Sequence, residues 1–183
     1  MIISISGTPG SGKTTIAKML AEKLNYKYYY IGGVRREKAK KRGLTLEEYN
    51  QLGEKDFSTD LEVDEYQKEL GKREDNFVIQ GRTSFYFTPH SLKIFLDVKP
   101  EEGARRIFND LKNRHGEAKD FDSVSDVLKS NQERRKSDDL RYKKIYGLDV
   151  YDPRHYDFVL DTTNLNAERV FEKVYQFVKN RLG

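Results

Sequence analysis

Eight residues near the start of the chain have the types and spacing to bind a polyphosphate. Gly7, Thr8, Pro9, Gly10, Ser11, Gly12, Lys13 and Thr14 fill the pattern G-x-x-x-x-G-K-[ST], and Thr15 follows. Glycines let the backbone turn so that several N–H groups point into one concavity. A helix starting there adds unpaired N–H groups and a partial positive charge. The Lys13 ammonium has the reach for β- and γ-phosphates, and the Thr14 hydroxyl is a ligand for Mg²⁺.

A second set of candidates is cationic. Moving a phosphoryl group requires positive charge around it, and arginine is the preferred phosphate ligand. Arg36 follows "IGGVR", past a strand-like run. Arg82 follows "FVIQG", at the C-terminal end of another, where ligands of open α/β sheets bind. Arg134 and Arg141 are seven apart on one helical pattern, so they share a face, with Asp138 between them. Arg106, in "ARRI", precedes a polar segment. The charge runs "VRREKAKKRG" and "ERRKSDDLR" also fit solvated helix faces, and that reading stays open.

The elements that would position these groups alternate. Strand-length apolar runs at 2–6, 26–31, 77–80, 92–97 and 157–162 are separated by helical patterns at 13–24, 34–55 (two pieces), 58–74, 100–113, 123–146 and 167–181. The alternation predicts a five-stranded parallel sheet with helices on both faces, an α/β three-layer sandwich. The P-loop lies between a strand and a helix, the context it requires. "TLEE" at 45–48 reads as a capping box, Ser123 as a helix cap and Gly147 as a helix stop. The chain has 183 residues, enough for one domain, and a net charge of +4 from 34 basic and 30 acidic residues. That mild balance suits anionic small molecules as well as nucleic acid; with a small net charge and no aromatics interleaved in the basic 35–42 stretch, nucleic acid is not an expected partner. With no cysteine, disulfides, thiolate chemistry and Cys-based metal sites are excluded. His90, His115 and His155 are too scattered for a zinc site. No stretch approaches a membrane span and the P-loop interrupts any signal-peptide core, so the expected location is the cytoplasm.

With these motifs the chain resembles the nucleoside monophosphate kinases, most closely the archaeal type of cytidylate kinase. The resemblance rests on "ISGTPGSGKTTIAKMLAEKL", "REKAKKRGLTLEEYN", "DLEVDEYQKEL", "VIQGR", "LKIFLDV" and "LRYKKIYGLDVYDPRHYDFVLDT". It implies a P-loop NTPase fold and phosphoryl transfer from ATP, with Mg²⁺, to CMP or dCMP. It implies one kinase domain over 1–183: a core of 1–33, 75–111 and 147–183, an acceptor-binding insert at 34–74, and a lid at 112–122 leading into a long helix at 123–146. ATP would be held by Gly7 through Thr15 and by Arg106 against the base. Arg36, Arg82 and Asp64 would face the acceptor. Lys13, Arg134 and Arg141 would neutralise the moving group, with Thr14 on the metal. Three positions depart from the family pattern: Gly33 and Gln80 replace acidic residues, and Gly103 replaces an arginine. Gln80 implies a metal held chiefly by Thr14 and the phosphates, and Gly103 a lighter charge beside the lid.

Two other classes fit the same P-loop. One is an adenylate-kinase-like ATP-dependent factor for ribosome or RNA assembly, using the basic 35–42 stretch. The other is a module that binds nucleotide without turning it over. Small-molecule nucleotides are the expected partners; oligomeric state and base preference are not readable from these residues.

Overall fold

The computed structural model describes residues 1–111 and 121–182. The expected lid at 112–122 therefore lies mostly outside the described residues. Five strands, β1 (Ile2–Gly7), β2 (Lys27–Tyr30), β3 (Phe77–Gln80), β4 (Leu92–Asp97) and β5 (Phe158–Asp161), form one parallel sheet in the order β2-β3-β1-β4-β5. The helices are α1 (Lys13–Leu24), α2 (Ile31–Lys41), α3 (Leu46–Lys55), α4 (Ser58–Arg73), α5 (Ser84–Phe87), α6 (Pro100–Asn109), α7 (Val124–Tyr146) and α8 (Ala167–Lys179). All five strands and the layered architecture follow the sequence expectation.

β1 sits between β3 and β4; the connection after β1 runs outward to β2 while the one after β3 crosses over β1 to β4, so a crevice opens at the C-terminal ends of these strands. Ile3 and Ile5 point to one face, where they pack with Ile16, Leu20, Val78, Ile94, Val170 and Val174 from α1, the neighbouring strands and α8. Ser4 and Ser6 point to the other face. Ser91 Oγ donates to Ser4 Oγ at 2.9 Å, and Ser6 Oγ donates to the Gly81 carbonyl at 2.6 Å. These short hydroxyl contacts bring the segment after β3 close against the central strand.

The predicted caps form. Thr45 and Glu48 make a reciprocal capping box on α3, Ser123 caps α7, and Gly147 ends α7 with φ 64°. Two elements differ from expectation. α2 starts at Ile31, directly out of β2, with Gly32 and Gly33 inside its first turn. The short aromatic α5 was not expected at all.

Candidate active site

The P-loop lies where β1 meets α1. Gly12, at φ 86°, turns the chain into the helix, and the Lys13 ammonium donates to the Thr8 carbonyl at 2.5 Å and to Ser11 Oγ at 3.4 Å. The Thr8 hydroxyl donates to Asp97 Oδ1 at 2.9 Å and accepts from the Val98 N–H at 3.0 Å. These bonds pin the loop to the end of β4. Close backbone contact pins it from a second side: a Cβ on Gly10 would lie 2.3 Å from the Gly103 carbonyl, and one on Gly103 would lie 2.5 Å from the Pro9 carbonyl. Gly103 is therefore a packing requirement of α6 against the P-loop. That supplies a steric reason for a glycine at the position where the resemblance implied an arginine.

Gln80, at the end of β3, reaches the same place. Its Nε2 donates to Thr14 Oγ1 at 3.0 Å, and its Oε1 accepts from the Tyr28 hydroxyl at 2.5 Å. Among the described residues no group of three or more His, Cys, Asp or Glu side chains could hold a metal ion. The available donor is a hydroxyl beside an uncharged amide. This fits Mg²⁺, which keeps several waters and is commonly bound through substrate phosphates and one or two protein oxygens.

On the other side of the β3 end, five charged side chains meet. Arg82 pairs with Asp138 Oδ2 and donates to the Tyr151 hydroxyl at 3.3 Å. Arg141, only 1% exposed, donates to Asp138 Oδ1 at 2.6 Å and to both Asp60 oxygens at 3.0 and 3.1 Å. Arg35 donates to Asp60 Oδ1 at 2.7 Å. Burial pushes the Asp138 carboxyl up, but Arg82, Arg141 and Arg134 outweigh that and hold it below the usual carboxylate range. Three arginines thus share two aspartates, an excess of one positive charge. Among the described residues the buried Arg35 Nη2 and Arg141 Nε atoms have no hydrogen-bond partner. The cluster ties α2, α4 and α7 to the segment after β3.

The remaining sequence candidates are placed as follows. Arg36 donates to the Tyr30 hydroxyl at 2.7 Å and lies 5.0 Å over the Tyr30 ring. Arg106 donates to the carbonyls of Thr162 at 2.8 Å and Thr163 at 3.0 Å, in the loop after β5, while Thr162 Oγ1 contacts the Ser11 carbonyl at 3.4 Å. That puts Arg106 beside the P-loop. Arg134 is half-buried on α7, where its charge bears on Asp138. Asp64 is buried beneath the site: it accepts from Gln67 and Thr83 at 2.9 Å each and from the Tyr146 hydroxyl at 2.7 Å. Burial raises its pKa to about 6. Arg35, Asp60 and Tyr28 were not singled out from sequence. The i, i+4, i+7 spacing of Asp60, Asp64 and Gln67 on α4 is the signal that would have marked them as one inward-facing polar row.

A family model described as the cytidylate kinase-like family matches residues 2–164. The chain belongs to that family. It is therefore a P-loop kinase, a nucleotide-binding transferase. A cytidylate kinase of Archaeoglobus fulgidus is 36% identical over 180 residues, covering 98% of this chain and 95% of that one. A cytidylate kinase of Methanocaldococcus jannaschii is 37% identical over 185 residues, with 98% of both chains covered. In fold the chain is similar to shikimate kinase from Bacteroides thetaiotaomicron, with a TM-score of 0.64, 16% identity, and coverage of 100% of this chain and 98% of that one. At that identity the likeness speaks for the P-loop kinase fold alone.

Proposed function

We propose that the protein transfers the γ-phosphoryl group of ATP to CMP or dCMP, giving ADP and the diphosphate, in the cytoplasm. The observation that carries this reading is one arrangement inside one family match. The P-loop, Gln80 and Arg82 converge at the C-terminal ends of the adjacent strands β1 and β3, in a chain matched to the cytidylate kinase-like family over residues 2–164. Residues 7–15 hold the polyphosphate, and Arg106, fixed on the loop after β5, flanks the ATP base. Arg36 and Arg82 take the acceptor phosphate. Lys13, Arg134 and Arg141 balance the charge of the moving group; Arg141 does so only by exchanging its contacts with Asp60 or Asp138. Asp64 serves the acceptor side indirectly, by holding Thr83 next to Arg82. Residues 34–74 form the acceptor-binding insert and 112–122 the lid.

No general base is required, because the acceptor phosphate is already an oxyanion. Catalysis is positioning plus electrostatic stabilisation. Mg²⁺, when bound with ATP, neutralises phosphate charge. Thr14 is the chain's own ligand for it. The RNA-assembly alternative finds little support on α2: Lys38 and Arg42 both pair with Glu62, and Lys41 with Glu37, which breaks up the basic stretch. Incubation of the protein with ATP, Mg²⁺ and CMP, followed by ion-exchange separation, tests the proposal. Equal amounts of CDP and ADP are expected. ADP formed at the same rate without CMP would refute it.

A further inference from the structure

Tyr30 is the last residue of β2 and the N-cap of α2, and its ring lies back across the first turn of that helix. A Cβ on Gly32 would sit 2.8 Å from Tyr30 Cε2 and 3.0 Å from both Tyr30 Cζ and the hydroxyl oxygen. A Cβ on Gly33 would sit 3.2 Å from Tyr30 Cδ1. The two glycines form a shelf for one aromatic ring. Tyr28, two residues back on β2, stacks on that ring with planes 10° apart and centroids 6.5 Å apart.

The shelved ring holds Arg36. The guanidinium lies 5.0 Å over the ring, and Arg36 Nη2 donates to the phenol oxygen at 2.7 Å. The direction of that bond is fixed, because a guanidinium has donors and no acceptor. The ring face and the hydroxyl together restrict a long side chain that otherwise carries much rotamer entropy. The phenol oxygen does so without a carboxylate's charge, whereas Arg35, Arg82 and Arg141 are each held by aspartate. An arginine ordered in advance loses less freedom when a phosphate arrives. Resting on the kinase reading above, in which Arg36 takes the acceptor phosphate, we propose that Tyr30 is a positioning residue of the acceptor site: shelved on Gly32 and Gly33, it pre-orders the Arg36 guanidinium for the monophosphate.

Steady-state ADP release with ATP, Mg²⁺ and varied CMP tests this. Tyr30→Phe keeps the ring, its shelf and its stack on Tyr28, and removes only the hydroxyl bond. It should raise the KM for CMP about fivefold, the size of one net hydrogen bond, with kcat and the KM for ATP little changed. Gly32→Ala should also raise the KM for CMP without altering Arg36 or Tyr30, because its methyl group displaces the ring. In the Arg36→Ala background neither change should raise that KM further, since the group being positioned is gone. A fold defect would instead move both KM values and kcat together. A wild-type KM for CMP in Tyr30→Phe, an equal rise in the KM for ATP, or the same factor in the Arg36→Ala background would overturn the assignment of Tyr30. A wild-type KM for CMP in Arg36→Ala would overturn the placing of Arg36 on the acceptor side. No CMP-dependent ADP release from the wild type would overturn the kinase reading, and this inference with it.

Discussion

Asp64→Asn should make the protein's stability less dependent on pH. The Asp64 carboxyl is 3% exposed, and burial raises its pKa from 3.8 to about 6, against the lowering effect of its hydrogen bonds from Tyr146 and Thr83. Asp60 and Arg35 add smaller, opposed effects. A carboxyl raised in this way favours folding most below 3.8, and that contribution is lost as pH rises through about 6. A shift of about two units corresponds to roughly 3 kcal/mol at neutral pH. Integrated over both titrations, about half of it falls between roughly pH 5 and 7.5. Asparagine keeps the shape and does not titrate. Its oxygen can accept from Gln67 and Thr83, and its NH₂ can donate to the Tyr146 oxygen. The melting temperature of Asp64→Asn minus that of the wild type should therefore grow by about 3–6 °C from pH 5 to 7.5. Thermal melts in matched buffers read this directly. A difference that stays constant across that range would show that Asp64 does not titrate there and would refute the argument.

Other outcomes follow from the same geometry. Lys13→Ala should lower turnover by at least about 10²-fold, by analogy with removal of one preorganised donor, and steady-state ADP release measures it. Arg82→Ala should raise the KM for the monophosphate far more than that for ATP, and an equal rise in both would place Arg82 outside the acceptor side. Arg141→Ala should cost about 3–5 kcal/mol of stability in denaturant titration, because it strands Asp60 and Asp138 in a buried site. A wild-type midpoint with reduced kcat would mean that Arg141 acts on the reaction and not on the fold.

The sheet was legible because five strand-length runs alternate with helical patterns, and the nucleotide loop because its spacing and context are specific together. What escaped the sequence reading did so for physical reasons. Gly32 and Gly33 read as a linker on helix propensity, yet tertiary packing of Ile31 and Ala39 starts α2 at the strand's end. The four residues of α5 are too few to show a helical period. The charges at 35, 60, 82, 138 and 141 are dispersed along the chain, and those at 35, 60, 138 and 141 lie in helical stretches that each resemble a solvated face, while Arg82 follows a strand. Only the fold brings them into one buried cluster. The resemblance implied that Asp64 faces the acceptor, but its carboxylate is enclosed by Gln67, Thr83 and Tyr146. Gln80 was read only as a missing charge beside the metal, and its bonds to Tyr28 and Thr14 come from strands and helices distant in sequence.

The central claim is that this P-loop site phosphorylates a cytidine monophosphate. A coupled ADP-release assay with ATP and Mg²⁺ tests it most directly, run across CMP, dCMP, UMP, AMP, GMP and shikimate. The account predicts the highest kcat/KM for CMP or dCMP. A preference for AMP or shikimate, or slow ADP release unchanged by any acceptor, would contradict it.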